Sequence, residues 1–409
     1  MVEEQSSSRR DFLARSTKTA AIAGLATLGS CAAEQAGGKL RVVQGPKPKM
    51  TGKVINVGMI GAGGRATYLM SQLLKQKEIE VDVKAVADPY KPHLERTVQN
   101  IKDATGKAPD AYEGADDWKD KIMGREDIHA LLIAVPCHLH AEMYLAAFAA
   151  GKHYYGEKPM CVTVKEADAL VAAQQRNPHT VAWIGFQRRA CRKYQEGIQH
   201  LRDGVIGETI AGYGAWNNAW GPLGLPGEGT QIWFGRRKFS GDWMLEQACH
   251  TWDVFNWVAN ALPESASGAG HTGLFKDVDP ERDVTDIYNS IIKYPGGFIL
   301  DFEHNWLMPK TEQEGIFSGI FERVMGPKGG LDLSAGKYYP RESGEIMNFK
   351  YDNNPDQDAL LSFLRATREG TPAVSGVENG RMATLTGLLV RKAVYEERWV
   401  TMKEILAEG

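Results

Sequence analysis

The chain has 409 residues, of which 43% are hydrophobic and 24% are charged, as in an ordinary soluble globular protein. This length predicts two or three domains, each large enough to bury its own hydrophobic core. The formal net charge of −3 gives no electrostatic reason to expect a nucleic acid or an anionic membrane surface as a partner.

Residues 1–38 have the pattern of an export leader. Residues 8–13, SRRDFL, match the twin-arginine pattern, and the apolar run over 19–28 is too short to span a bilayer. Residues 28–31, LGSC, are similar to a lipobox, whose Cys31 would be lipidated after cleavage; the alternative is an ordinary peptidase cut near Ala33. We predict a leader over 1–38, a linker over 39–52, twin-arginine export to the periplasm or cell envelope, and membrane attachment only through Cys31.

A glycine-rich turn follows the first predicted strand. The β-branched, apolar run over 54–60 leads into residues 61–66, GAGGRA, and then into a helix-compatible segment. This is a G-x-G-x-x-A fingerprint between a strand and a helix, where glycines let backbone approach a pyrophosphate and the helix N-terminus supplies N–H donors. The predicted cofactor-binding residues of this turn are Gly61, Ala62, Gly63, Gly64, Arg65 and Ala66.

Asp88 ends the second predicted strand, residues 81–88, and lies 22 residues beyond Ala66. A carboxylate here can accept hydrogen bonds from both ribose hydroxyls and would repel a 2′-phosphate, which favours NAD over NADP. Lys91, three residues on, keeps NADP from being excluded. The alternative is an ordinary βα turn in which Asp88 acts only as a cap.

Strands and helices alternate up to residue 176. Helix-compatible segments over 91–105, 116–123, 140–150 and 164–175 are interleaved with apolar strands over 128–135 and 152–156, which predicts a doubly wound parallel sheet over 53–176. Ligands bind at the carboxyl ends of such strands, where the further candidate cofactor contacts are Pro136, His138, His140, Glu157 and Lys158. The two histidines have no further ligands nearby, so no metal site is predicted.

Lys158 is the first candidate catalytic residue. Pro159 holds it extended, so its side chain has a defined direction. An amine at this edge of the sheet, its pKa lowered by burial, could polarise or deprotonate a hydroxyl group that loses hydride. A surface lysine in a turn is the alternative.

Residues 244–253, MLEQACHTWD, contain the other catalytic candidates. If they form one helix, Glu246, His250, Asp253 and Trp257 share a stripe by the i, i+4, i+7 rule. His250 could accept the hydroxyl proton while a carboxylate orients its other ring nitrogen. A lone histidine is by itself more typical of a satisfied core residue.

Six of the ten tryptophans fall within 42 residues: Trp216, Trp220, Trp233, Trp243, Trp252 and Trp257. Aromatic faces stack on the apolar faces of pyranose rings, so the glycine-rich segment over 212–239 is predicted to be an exposed sugar-binding loop, with core packing as the alternative. The candidate substrate-binding residues are Arg188, Trp216, Asn217, Trp220, Trp243 and His250. Cys137, Cys161, Cys191 and Cys249 show no metal or disulfide spacing and are predicted to be buried thiols, with a single disulfide left open.

From residue 53 to the C-terminus the chain resembles the Gfo/Idh/MocA family of sugar and cyclitol oxidoreductases. The motifs that carry the resemblance are GAGGRA at 61–66, VADP at 86–89, AVPCHLHAE at 134–142, GEKP at 156–159, FQRR at 186–189, LRDGVIGE at 201–208 and MLEQACHTWD at 244–253. The family's H-x-x-D pattern falls on His250 and Asp253, whereas Glu246 stands where the family commonly has Asp.

The resemblance implies an α/β fold with two domains. An N-terminal doubly wound Rossmann domain would be followed, over 177–409, by an α+β substrate-binding domain with an open, mainly antiparallel sheet that makes homo-oligomer contacts. The C-terminal segments over 356–369 and 378–407 have helical patterns and could pack back on the first domain.

The sequence leaves three functions open. The first is an exported oxidoreductase that moves hydride between a ring hydroxyl carbon of a sugar or glycoside and NAD, which would be loaded before export and held tightly. The second is a redox-neutral NAD-dependent glycosidase that forms a transient ketone and eliminates the glycosidic substituent. Some exported relatives act in this way, although they tend to lose the Lys-Pro motif. The third is a non-catalytic sugar-binding lipoprotein, against which the fingerprint, Lys158 and His250 argue together.

Overall fold

The computed structural model describes residues 42, 44–50, 52–219, 221–227, 231–309, 311, 317–342, 344–349, 351 and 353–409. The predicted leader with Cys31 lies outside the described residues, and so does Trp220. Within the described ranges, no helix combines the length and the apolar character needed to cross a membrane.

The first domain is built on a six-stranded parallel sheet in the order β3-β2-β1-β4-β5-β6. Its strands are β1 Ile55–Ile60, β2 Val81–Ala87, β3 Asp110–Tyr112, β4 Ala130–Ile133, β5 His153–Gly156 and β6 Ala182–Ile184. The helices between them are α1 Gly64–Lys75, α2 Lys91–Thr105, α3 His140–Ala149 and α4 Val164–Arg176. The central strands are buried on both faces, which explains their continuous apolar sequences.

The second domain contains a nine-stranded sheet in the order β14-β13-β12-β11-β7-β10-β9-β8-β15, open at both edges among the described residues. Only β7 and β10 pair in parallel, and the other pairs are antiparallel. The strands are β7 Ala211–Asn217, β8 Ser265–Thr272, β9 Thr285–Lys293, β10 Ile299–Asn305, β11 Gly319–Gly326, β12 Gly329–Asp332, β13 Lys337–Pro340, β14 Met347–Asn348 and β15 Val400–Thr401. The predicted fold class is confirmed.

The helices of the second part of the chain flank this sheet or return to the first domain. They are α5 Arg192–Arg202, α6 Arg237–Ser240, α7 Trp243–Glu246, α8 Cys249–Ala259, α9 Pro355–Glu369, α10 Val377–Glu396 and α11 Met402–Leu406. The predicted helix over 378–407 is therefore interrupted by β15. β6 belongs to the first sheet, so the predicted boundary after residue 176 falls one strand too early.

The predicted helix over 244–253 is broken between α7 and α8. In a continuous helix the carbonyl of Glu246 would accept the amide of His250. Here that carbonyl accepts the Lys158 ammonium at 2.5 Å, and the His250 amide donates to Gln247 instead. A long-range contact thus replaces a local hydrogen bond, which the stripe pattern could not reveal.

Helix α9, which follows the second-domain strands β7 to β14 in the chain, completes the core of the first domain. Its apolar face packs with β1, α1 and β4 in one buried cluster through Ala359, Leu360, Phe363, Leu364 and Ala366. Phe363 also meets the ring of Tyr155 edge-on, with ring centroids 6.0 Å apart. At the other end of the described chain, part of the predicted linker lies against the same domain, because the Gly45 amide donates to Asn177 at 2.7 Å.

Replacing Phe363 with Ala should lower the free energy of unfolding of the first domain by about 3–5 kcal/mol, because it empties a site that is buried in the core. Thermal and denaturant unfolding, followed by circular dichroism, measure the change. Glu369→Ala, at an exposed position of the same helix, is the matched control and should change the stability by less than about 0.5 kcal/mol. Equal effects of the two substitutions would contradict the packing of α9 on this core.

Candidate active site

The glycine-rich turn lies at the carboxyl end of β1, at the centre of the parallel sheet. Gly61 has φ of +91°, and a Cβ atom there would overlap the carbonyl oxygen of Ala134, so the turn requires glycine. A Cβ on Gly64 would meet nothing within 4 Å, so the backbone is open on that side. α1 has no side-chain cap and no acidic residue in its first turn. These features fit a dinucleotide, whose pyrophosphate the amides at the start of α1 would hold.

Asp88 lies directly after β2, beside this turn. One carboxylate oxygen accepts the Ala62 amide at 2.6 Å and the other accepts the Tyr90 amide at 2.8 Å. Each oxygen retains acceptor capacity, since an ionised carboxylate offers about four lone-pair sites. Asp88 therefore stabilises the turn and still presents acceptors where the ribose of a bound dinucleotide would lie.

Arg65 of the fingerprint makes ion pairs with two distant carboxylates. Its guanidinium donates to Glu157 at 2.8 Å and to both oxygens of Asp356, at 2.7 and 3.2 Å, at the start of α9. The side chain is therefore turned away from the predicted phosphate contact, which is left to the backbone of the turn. Asp356 was not among the predicted residues.

Pro136, His138 and His140 follow β4. The two ring nitrogens of His140 lie 2.6 Å from the Pro159 carbonyl oxygen and 2.9 Å from the Val135 carbonyl oxygen, so this buried ring joins two loops rather than facing a ligand. His138 packs beside Phe239, and burial lowers its pKa to about 4, which leaves it neutral. Among the described residues, no group of three or more His, Cys, Asp or Glu side chains is placed to hold a metal ion. The four described cysteines are buried and free.

Lys158 and Glu246 form an ion pair across the cleft between the domains. The ammonium lies 2.7 Å from the carboxylate, and both side chains are nearly buried. Burial lowers the pKa of Lys158, but the negative charges of its neighbours, Glu246 above all, outweigh burial and leave that pKa raised. The prediction of a lowered pKa was wrong because it considered burial without the partner. Lys158 is an ammonium donor here and is no base.

His250 begins the first turn of α8 beside this ion pair. Burial, and then the positive charges of Lys158, Arg188 and Arg65, hold the pKa of His250 well below its ordinary value. Its ring stacks on Trp216 with centroids 5.7 Å apart, and its Nδ1 has no hydrogen-bond partner among the described residues. His250 is therefore a neutral imidazole, and a neutral imidazole has one ring nitrogen that can accept a proton.

A carboxylate was predicted to orient the His250 ring, and Asp253, one of the two candidates, contacts Arg189 instead. Both oxygens of Asp253 accept from Arg189 at 2.8 Å, and the pair is almost fully buried. The break between α7 and α8 also removes Glu246 and Asp253 from a common helical stripe. Asp253 thus positions the segment that carries Arg189, and Glu246 serves Lys158.

Arg188 and Trp216 lie together on the second-domain side of the cleft. The guanidinium stands 5.6 Å from the Trp216 ring and donates to Glu322 at 2.5 Å. Tyr194 donates to the other Glu322 oxygen at 2.7 Å. Glu322 was missed, although it occupies a buried position of β11 between half-buried Phe321 and exposed Arg323, where the strand's alternation calls for an apolar residue.

The predicted exposed tryptophan loop is largely wrong. Residues 211–217 form β7, and Trp243 is completely buried against His304 and Trp306. Trp252 is likewise buried, with its Nε1 donating to the Met244 carbonyl at 2.7 Å. Of the candidate substrate contacts, Trp216, Arg188 and His250 are brought together. Asn217, at the end of β7, keeps a buried Oδ1 without a partner among the described residues.

Comparisons with known proteins agree with this geometry. Residues 55–186 match the family described as "Oxidoreductase family, NAD-binding Rossmann fold", and residues 194–332 match the GFO/IDH/MocA C-terminal domain. The chain belongs to the Gfo/Idh/MocA family. Its first domain is an NAD-binding Rossmann domain, and the prediction of NAD as the cofactor is confirmed.

Two curated proteins of Shewanella are similar to this chain over most of their length. "Glycosyl hydrolase family 109 protein 1" of Shewanella sp. (strain MR-7) is 29% identical over 333 residues, which are 75% of this chain and 71% of the relative. "Glycosyl hydrolase family 109 protein" of Shewanella baltica (strain OS155 / ATCC BAA-1091) is 25% identical over 326 residues, which are 72% of this chain and 70% of the relative.

Two solved structures share the fold. Levoglucosan dehydrogenase, in complex with NADH and levoglucosan, superposes with a TM-score of 0.69 at 19% identity, covering 85% of this chain and 99% of that one. The aldose-aldose oxidoreductase from Caulobacter crescentus, complexed with glycerol, gives the same TM-score, identity and coverage.

Asp88→Ala should weaken the binding of NADH by about 10-fold or more and reduce the preference for NADH over NADPH, because the carboxylate that repels a 2′-phosphate is lost. Titration of protein and nucleotide fluorescence measures both dissociation constants. Asp82→Ala, on the same strand but away from the turn, is the control. An unchanged ratio of the two constants would remove Asp88 from its assigned role.

Proposed function

We propose that this Gfo/Idh/MocA protein is an NAD-dependent oxidoreductase that removes hydride from a ring hydroxyl carbon of a sugar or glycoside. The observation that carries the proposal is the meeting, in one cleft, of a buried ammonium and a neutral histidine at the edge of the dinucleotide-binding sheet. A hydroxyl group placed between Lys158 and His250 has a donor on one side and a proton acceptor on the other.

His250 and Lys158 have different roles in the reaction. His250 takes the hydroxyl proton at a ring nitrogen, since its lowered pKa keeps it neutral before the reaction. Lys158 donates a hydrogen bond to the same oxygen and stabilises the negative charge that develops as the proton leaves. NAD, when bound, supplies the hydride acceptor. Glu246 holds the Lys158 ammonium in place at 2.7 Å, and Trp216 packs against the imidazole.

A redox-neutral glycosidase is the second candidate, and the names of the Shewanella relatives favour it. In that reaction the same two residues would form the ketone, and loss of the neighbouring proton would eliminate the glycosidic substituent. Water would then add to the unsaturated ketone, and the ketone would be reduced again. The retained Lys158-Pro159 motif favours the dehydrogenase.

Product analysis separates the two reactions. The purified protein is incubated with methyl, aryl and disaccharide glycosides, and keto-sugars, free sugars and NADH are measured. Accumulated keto-sugar with NADH supports the dehydrogenase, whereas free sugar without net NADH supports the glycosidase. A folded protein that contains no nicotinamide and binds none would exclude both and leave the non-catalytic sugar-binding lipoprotein.

The cellular setting and assembly form part of the proposal. The twin-arginine and lipobox patterns support export to the periplasm or cell envelope and a tightly held cofactor. A homo-oligomer is supported by the outward face of the nine-stranded sheet, which exposes Ile291, Ile299, Met325 and Tyr339. The last three lie in one row across the sheet, separated by Ala211 of β7 and Gly330 of β12.

Lys158→Ala should lower kcat by about 10²-fold or more while NAD stays bound, because the donor to the reacting oxygen is lost and the dinucleotide cradle is not. Steady-state kinetics and a nucleotide titration on the same preparation measure the two quantities. Lys121→Ala, an exposed lysine of the first domain, serves as the control and should leave both unchanged. Full activity of Lys158→Ala would remove Lys158 from the reaction.

The pH profile should report His250. Because its pKa is lowered, kcat/KM should stay constant down to about pH 6.5 and fall only in more acidic solution, where the imidazole gains a proton. In Lys158→Met the acidic limb should move to higher pH, since a neighbouring positive charge is lost and Glu246 is left uncompensated. The kcat/KM of Lys158→Met, measured as a function of pH, gives the shift of the acidic limb. An acidic limb at the same pH as in the wild type would contradict the assignment to His250.

A further inference from the structure

The cations around the candidate site each have a carboxylate partner of their own. Lys158 pairs with Glu246 at 2.7 Å, Arg188 with Glu322 at 2.5 Å, and Arg189 with Asp253 at 2.8 Å. In all three pairs the side chains are at most 13% exposed. The pairing is one to one, so no positive charge is left over within these pairs.

These pairs surround the reacting position. The cations whose charge acts on His250 are Lys158, Arg188 and Arg65, and Arg189 is the chain neighbour of Arg188. Arg65 has two carboxylate partners, Glu157 and Asp356. Among the residues that the structure describes, four cations near the cleft therefore meet five carboxylates, and His250 itself is neutral.

The carboxylates cannot easily turn away to release their cations. Both oxygens of Glu322 are used, one by Arg188 and the other by Tyr194, and the residue is completely buried. Both oxygens of Asp253 are held by Arg189. Removing either partner of such a pair would leave a buried, uncompensated charge, which is strongly unfavourable.

A neutral substrate suits this arrangement and an anionic one does not. Hydroxyl groups can donate to carboxylate oxygens and accept from guanidinium or ammonium groups without changing the net charge of the cleft. A carboxylate or phosphate on the bound sugar would enter a largely buried site whose cations are already neutralised, and would lose its hydration without gaining a counter-ion. Sites that bind anions in proteins instead offer unpaired arginines, lysines or helix N-termini.

We propose that this site accepts electrically neutral sugars or glycosides and excludes sugars that carry a carboxylate or phosphate on the oxidised ring, because every buried cation that the structure describes near His250 is already paired. The inference rests on the proposed function and narrows its substrate class. Glu322 is a specificity-determining residue in this view, since it neutralises Arg188 beside Trp216.

Matched substrates separate the effect of the substrate's charge from the effect of its size. Aryl glucosides and galactosides are compared with the corresponding uronides and with the uronide methyl esters, and kcat/KM is measured for each with the NAD-loaded protein. The uronides should be at least about 10²-fold poorer than both neutral members of their series, while the esters should follow the parent glycosides within about 10-fold. Uronides that equal or exceed their methyl esters would overturn this inference and leave the proposed oxidoreductase standing. Turnover of none of these compounds would overturn the proposed function together with this inference.

A single variant tests the role of Glu322. Glu322→Gln keeps the shape of the side chain and releases the charge of Arg188, so the ratio of uronide to ester activity should rise by about 10-fold or more. Glu342→Gln, an exposed position, is the control and should leave the ratio unchanged. A folded Glu322→Gln variant with an unchanged ratio would contradict the role of this pair. The wild-type comparison remains decisive if the variant does not fold.

Discussion

The contact on which the site depends is the one between Lys158 and Glu246. Lys158 lies past the end of β5 in the first domain, and Glu246 ends α7 in the second. Each charge is nearly buried and would be costly alone, so the pair holds the two domains in one relative position. The Lys158 ammonium also donates to the Glu246 carbonyl oxygen, so this oxygen does not accept the His250 amide and the helix is interrupted between α7 and α8. His250 therefore lies in the first turn of a new helix, α8, beside the ion pair.

The two sides of the cleft use different physical means. On the first-domain side, backbone amides at a glycine turn and a helix N-terminus offer partial positive charge, which suits a dinucleotide. On the second-domain side, cations and carboxylates carry full charges but form ion pairs with one another, and aromatic rings pack against them. Uncompensated positive potential thus remains on the first-domain side, where the charged cofactor would bind. On the second-domain side, where the substrate would bind, the charges are paired.

Local patterns predicted a large part of this structure. Residues close in sequence predicted the alternation of strands and helices, the fingerprint and α2 over 91–105. At this range, the hydrophobic period and the turn-forming residues determine the local structure. Lys158 and His250 were also recognised from local motifs. The ion pairs around them were not, because Lys158 with Glu246, Arg188 with Glu322 and Arg189 with Asp253 are pairings between distant segments that no local pattern specifies. Trp243 was predicted to contact substrate and is instead buried in the core, because an aromatic ring suits a core as well as a sugar.

The pairing of Arg65 with Asp356 has a consequence for the order of events during synthesis. The two residues are 291 positions apart, and α9, which Asp356 begins, supplies part of the hydrophobic core beneath β1. When the glycine-rich fingerprint emerges from the ribosome, α9 has not yet been synthesised. The first domain consequently cannot finish folding as a unit ahead of the second, as N-terminal domains generally do. The core beneath its nucleotide site is among the last parts of the molecule to be completed.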